Sequence, residues 1–191
     1  MPTVREGNRP VLVVVDVQVG VLREGWDAAR VIANVARAVE RARAQGVPVL
    51  WVQHVSDELP SGSPPWQWVP ELEPAPGEPV IAKRFESSFE ETPLEAELAR
   101  LGASHIVLAG AQSNWCIRAT AYAALDRGYD LTLVKDAHTT GSMEFEDGTV
   151  IEGSNIVREL NAAMTWLSYP GRKNGTASVE QLDFATPGGV R

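Results

Sequence analysis

Three side chains that can do covalent chemistry stand just beyond runs of strand-forming residues: Asp16 after Val11–Val15, Lys83 after Val80–Ala82, and Cys116 shortly after His105–Ala109. A carboxylate is a base, an ammonium is a fixed positive charge, and a thiol becomes a strong nucleophile once it loses its proton. Cys116 follows the turn Gly110-Ala111-Gln112-Ser113, in the first turn of an expected helix that Ser113 or Asn114 can cap. Helix amides aimed at the sulfur, together with a nearby ammonium, would lower the thiol pKa below its usual value of about 8.5. Fast alkylation by iodoacetamide near neutral pH is then expected. Each residue also has a structural reading: Asp16 as a helix cap or buried ion pair, Lys83 as a solvated lysine, Cys116 as a small buried hydrophobe.

The elements that position them follow from hydrophobic patterning. Val11–Val15 is a continuous aliphatic run, which suits a strand covered on both faces. From Asp27 to Gln45, apolar residues recur at Val31, Ile32, Val35 and Val39, predicting a helix that Gly46 stops. Val47–Val52 returns to strand composition and completes a β-α-β unit. Thr92-Pro93-Leu94-Glu95 reads as a capping box opening a helix that Gly102 ends. Further helices are expected over Asn114–Arg127 and Ser154–Leu167, and strands over Tyr129–Val134 and Ala177–Val179. This alternation predicts an α/β fold: three layers, α/β/α, around a mostly parallel, Rossmann-like sheet. Ligands in such sheets bind outside the carboxyl ends of the strands, which is where all three reactive residues fall.

Composition narrows the function classes. The 191 residues suit a single domain spanning residues 1–191, and 25 acidic against 17 basic residues leave a formal charge of −8. That charge opposes nucleic acid and anionic membranes as partners. The single cysteine excludes an internal disulfide, and the start MPTVREGNRP lacks the apolar stretch of a secretory signal, so a cytoplasmic location is expected. Asp57–Pro79 has no period, many prolines, and Trp66 and Trp68. It reads as a long loop serving as a pocket wall or lid, or as an oligomer contact.

Three linked stretches carry a family resemblance: VLVVVDVQ (Val11–Gln18), AKRFESSFEETPLEAEL (Ala82–Leu98) and VLAGAQSNWCIRATAYAALDRGYDLTLVKDAHTT (Val107–Thr140). In order and spacing the chain resembles the isochorismatase-like cysteine hydrolase superfamily, which includes nicotinamidases and N-carbamoylsarcosine amidase. The resemblance implies an Asp-Lys-Cys triad at Asp16, Lys83 and Cys116. It also implies a non-proline cis peptide joining Ala111 to Gln112, and an oxyanion hole from the backbone N–H groups of Gln112 and Cys116. The implied activity is hydrolysis of a small-molecule amide or ureido C–N bond through a thioester. The alternatives are isochorismatase-type vinyl-ether hydrolysis, which does without a cysteine nucleophile, and a catalytically retired binding or scaffold protein, whose mark would be a lost triad residue.

Gln18, His54, Trp66, Phe85 and Trp115 are expected on the substrate pocket. Metal-dependent nicotinamidases place an aspartate two residues before a histidine after the second strand; here that stretch reads Val52-Gln53-His54. No metal and no cofactor is therefore expected, because His54 alone cannot supply the ligand count. His105 and Asp136 are read as structural. Relatives in the family commonly form homo-oligomers, so a homo-oligomer is the implied partner state.

Overall fold

The computed structural model describes residues 7–185; the N-terminal stretch read for a leader lies largely outside the described residues. Six strands form one all-parallel sheet: β1 (Arg9–Val15), β2 (Val49–His54), β3 (Val80–Lys83), β4 (Ala103–Ala111), β5 (Asp130–Thr139) and, as the last strand of the chain, β8 (Asn174–Ala177). Their order is β3-β2-β1-β4-β5-β8, every neighbouring pair parallel. The two halves of the chain build outward from β1 in opposite directions, and the crevice between the ends of β1 and β4 is the topological switch point.

Side-chain alternation on β1 divides the core. Leu12 and Val14 face α2 (Ala28–Ala44), with Val31, Val35, Ala38 and Val39 packed on them. Val11, Val13 and Val15 face the opposite layer of α3 (Leu94–Arg100), α4 (Arg118–Asp126) and α5 (Gly153–Trp166), through Leu94, Leu98, Ala121, Leu125, Leu160 and Met164. Burial on both faces explains why this strand is aliphatic throughout instead of alternating. A four-residue helix, α1 (Val19–Leu22), and a two-stranded antiparallel hairpin, β6 (Met143–Glu144) with β7 (Val150–Ile151), complete the elements.

Several elements differ from expectation for identifiable reasons. The helix expected over Asn114–Arg127 is split: Ser113–Ile117 forms a π turn before α4, with the Ile117 N–H donating to Gln112 O at 3.0 Å, five residues back. Ser113 and Asn114 do not cap it, since their side chains bind elsewhere. The box at Thr92 is half formed: its hydroxyl accepts from Leu94 N–H at 3.3 Å, and Pro93 occupies the cap position. The final strand lies three residues earlier than expected, while Val179 enters the core.

The 57–79 loop holds only a 3-10 turn, Pro64–Trp66, yet it is tied down along its length. Val19 N–H donates to Gln67 O and Val69 N–H to Val17 O, while Trp68 meets the buried Trp51 edge-on with ring centroids 5.3 Å apart. Trp68 is thus a packing residue. His105 and His138 are also structural: both are buried, and burial pushes each imidazole down to about 4.

Two outcomes follow. Gly110 has φ +126°, and a Cβ there would lie 1.9 Å from Val15 O and 2.8 Å from Val15 C, backbone atoms of β1 that cannot move aside. Gly110→Ala should therefore abolish folded protein or lower the thermal midpoint steeply, as circular-dichroism melting will show. Because unfolded histidine titrates near 6.5, the unfolded chain binds more protons between pH 6.5 and about 4. Stability should fall as pH drops through that window, by about 3 kcal/mol for each imidazole, and the melting temperature of His138→Gln should depend less on pH than that of the unsubstituted protein.

Candidate active site

The carboxyl ends of β1, β3 and β4 bring Asp16, Lys83 and Cys116 together. The backbone of Asp16 turns sharply off β1 with φ +53°, while its N–H still donates to Val52 O at 2.8 Å. This left-handed residue swings the carboxylate inward instead of continuing the strand. Lys83 closes β3 with its side chain fully buried, and its ammonium stands 2.7 Å from Asp16 Oδ2 and 3.1 Å from Cys116 Sγ. Phe85 O at 3.1 Å and His54 Nδ1 at 3.3 Å also face Nζ, so its three N–H donors are shared among four acceptors. An ammonium only donates, so Nδ1 accepts and the His54 proton sits on Nε2.

The turn bearing the sulfur is held from β5 and α5. The peptide bond between Ala111 and Gln112 is cis. Asn161 donates from Nδ2 to Lys135 O at 2.9 Å, which leaves its Oδ1 to accept from His138 Nε2 at 3.0 Å. His138 Nδ1 then accepts the Ser113 hydroxyl at 2.8 Å. The Thr140 hydroxyl donates to Asn114 Oδ1, whose amide reaches Met143. Ser113 and Asn114 thus anchor the turn sideways. Asp136 accepts from Val179 N–H and Asn34 Nδ2, so it serves structure as read from the sequence.

Electrostatics differ from the sequence expectation. Burial, reinforced by the Asp16 carboxylate, pushes the Cys116 thiol up to about 12, against the opposing pull of Lys83. Asp16 is also raised, by burial that Lys83 only partly offsets. Burial works against the Lys83 charge as well, but Asp16 and Cys116 outweigh it and the ammonium is held above its ordinary value. Burial and Lys83 lower His54, which is neutral at pH 7. At neutral pH the sulfur therefore rests as a thiol beside the Lys83 ammonium. A helix terminus depresses a thiol only where water and cations outweigh burial, and here a carboxylate is the sulfur's neighbour.

A cavity of about 180 Å³ opens over the sulfur, lined by Asp16, Val21, His54, Glu86, Gln112, Trp115 and Cys116. His54 and Trp115 thus stand where the sequence placed them. Gln18 does not: it is fully buried, donates to His54 O and Trp66 O, and accepts from His54 N–H, so it braces the rim. Trp66 is likewise off this cavity; its carbonyl is held by Gln18 and Gln53. Phe85 lines an adjoining hollow with Lys83. Val21 and Glu86 escaped the sequence reading. Their signal was closeness to a strand end: Glu86 is three residues beyond Lys83, and Val21 five beyond Asp16.

Asp16, His54 and Cys116 each offer a ligand atom, all within 4.8 Å of one another. Lys83 Nζ is within 3.3 Å of an atom of each. The place a metal ion would take among these donors is filled by the protein's own cation, so the residues do not fit a metal.

Residues 10–159 match the model of the Isochorismatase domain. A streptothricin hydrolase of Streptomyces noursei is 37% identical over 142 residues, covering 69% of this chain and 56% of that protein, so the chain spans little more than half of that relative's length. A ureidoacrylate amidohydrolase of Methylobacterium radiotolerans is 34% identical over 173 residues, covering 68% of this chain and 67% of the relative. The structure of an isochorismatase from Pseudomonas putida superposes with a TM-score of 0.83 at 30% identity, over 96% of this chain and 93% of that one. The family model covers most of the chain and the overall folds superpose, so the chain belongs to the isochorismatase family.

Proposed function

We propose that this hydrolase cleaves an amide or ureido C–N bond of a small molecule through a thioester on Cys116. One observation carries the reading: Lys83 Nζ lies within hydrogen-bond reach of both the Asp16 carboxylate and the Cys116 sulfur, two residues that line one cavity of about 180 Å³. The names of the streptothricin hydrolase and the ureidoacrylate amidohydrolase relatives point to hydrolysis, the second of an amide bond.

In the first step the Cys116 proton passes to Asp16 as the sulfur bonds to the carbonyl carbon, and the carbonyl π electrons move onto oxygen. The backbone N–H groups of Gln112 and Cys116 serve as donors to that oxyanion; one such donor is typically worth about two to three powers of ten in rate. Collapse of the tetrahedral species breaks the C–N bond, and Asp16 returns its proton to the departing nitrogen. A water molecule, deprotonated by Asp16, then attacks the thioester. Its hydroxyl goes to the acyl carbon and the sulfur recovers a proton. Lys83 remains charged throughout and faces the negative charge whether it sits on oxygen or on sulfur.

A high thiol pKa makes the base indispensable, because almost no thiolate exists at neutral pH before substrate arrives. Cys116→Ala and Cys116→Ser should lose turnover by several powers of ten while keeping the circular-dichroism spectrum and melting temperature. Turnover surviving the loss of the thiol would favour vinyl-ether hydrolysis instead. Asp16→Asn separates base from counter-ion. Removing the carboxylate removes a charge that raises the thiol pKa, so alkylation of Cys116 by iodoacetamide at mildly alkaline pH should speed up while hydrolysis is lost. In the unsubstituted enzyme alkylation should be slow near neutrality and accelerate as pH rises, and turnover should fall on acidification through a carboxylate titrating above the ordinary value of 3.8.

A further inference from the structure

The charges around the reactive sulfur do not balance, and the imbalance has one source. Two hollows adjoin the cavity. One, of about 360 Å³, shares Val21 and His54 with it and carries Arg23 and Glu58, whose charges offset. The other, of about 450 Å³, meets the site at Lys83 and carries one charge of each sign, Arg84 and Glu91. In the cavity itself Asp16 is matched by Lys83 at 2.7 Å, leaving Glu86 as the unmatched charge on its wall. Glu86 is exposed and has neither hydrogen bond nor ion pair among the described residues. The same cavity is lined by Trp115, half exposed on the turn that carries Cys116. His54 stays neutral at pH 7 and adds no positive charge to oppose a cation. An indole face and a free carboxylate on one small cavity are the two groups that attract an organic ammonium, and each alone is a weak anchor.

We propose that the substrate is an amide carrying a cationic nitrogen near the scissile carbonyl, selected by Glu86 and Trp115, and that amides bearing a carboxylate at that place are rejected. The proposal rests on the amidase reading and adds the substrate's charge class. Neither residue takes part in bond making. Both act on substrate binding, so their removal should raise KM for a cationic amide more than it lowers kcat.

Three primary amides of matched length provide the test: β-alaninamide carries an ammonium, butyramide a methyl group in its place, and succinamate a carboxylate. Ammonia release by the unsubstituted enzyme should give kcat/KM highest for β-alaninamide, by about fivefold over butyramide, a span set by exposed charge and cation–π contacts, with succinamate lowest. Glu86→Gln should remove most of the preference, and Glu86→Lys should reverse the order of the two charged amides. Binding is measured separately by saturation-transfer NMR on Cys116→Ala, with and without Glu86→Gln. If none of the amides releases ammonia but β-alaninamide binds best and Glu86→Gln abolishes that preference, the reaction is wrong and the charge selection stands. Equal binding of the three, absence of binding, or a preference for succinamate overturns the charge selection whatever the turnover.

Discussion

Asp16 and Lys83 lie 2.7 Å apart with both side chains almost completely out of water, and Cys116 Sγ stands 3.1 Å from the same ammonium. Withdrawing two charges from solvent costs several kcal/mol per ion, and their attraction seldom returns more than that, so the pair is poorly explained as a stabilising device. Its arrangement makes sense as chemistry. Moving a proton from sulfur to Asp16 transfers negative charge from one neighbour of Nζ to another, leaving the net charge of the buried site unchanged. In the proposed mechanism, a step that would demand solvent in an isolated thiol would thus run inside the fold around a fixed cation. Removal of Lys83 would strand a buried carboxylate.

The rest of the architecture follows from bringing those three groups to one point. Parallel strands all end on the same rim, and the order β3-β2-β1-β4 puts the chain reversal between the strands that supply the carboxylate and the sulfur. Close passage of β4 against Val15 demands glycine at 110, and the left-handed turn at Asp16 directs its side chain back into the crevice. His138, Thr140 and Asn161 fix the turn that carries Cys116 from the far side, so the sulfur's position depends on residues that do not line the cavity above it.

Strand and helix existence was readable because aliphatic runs and helical spacing are driven by burial on two faces, as Val11–Val15 and Val31–Val39 show. The order of reactive residues along the rim followed from that alternation. Side-chain direction did not. Gln18 lies two residues from Asp16 yet turns its amide onto backbone, and Trp66 presents a carbonyl to the site's braces while its ring stays off the cavity. The π turn depends on one hydrogen bond five residues back, for which residue type gives no cue. The thiol's high pKa was hidden for the same reason, since the distance from a carboxylate to the sulfur is set by tertiary packing alone.

The most direct test of the account is to catch the bond it requires. The enzyme is quenched in acid within the first turnovers of an amide that it hydrolyses, digested with protease at low pH, and the peptides are weighed by mass spectrometry. The account predicts that the peptide containing Cys116 carries the mass of the acyl group, and that the adduct is discharged by hydroxylamine and absent from Cys116→Ala. Steady turnover with Cys116 unmodified at every quench time, or an acyl group on another residue, would contradict it.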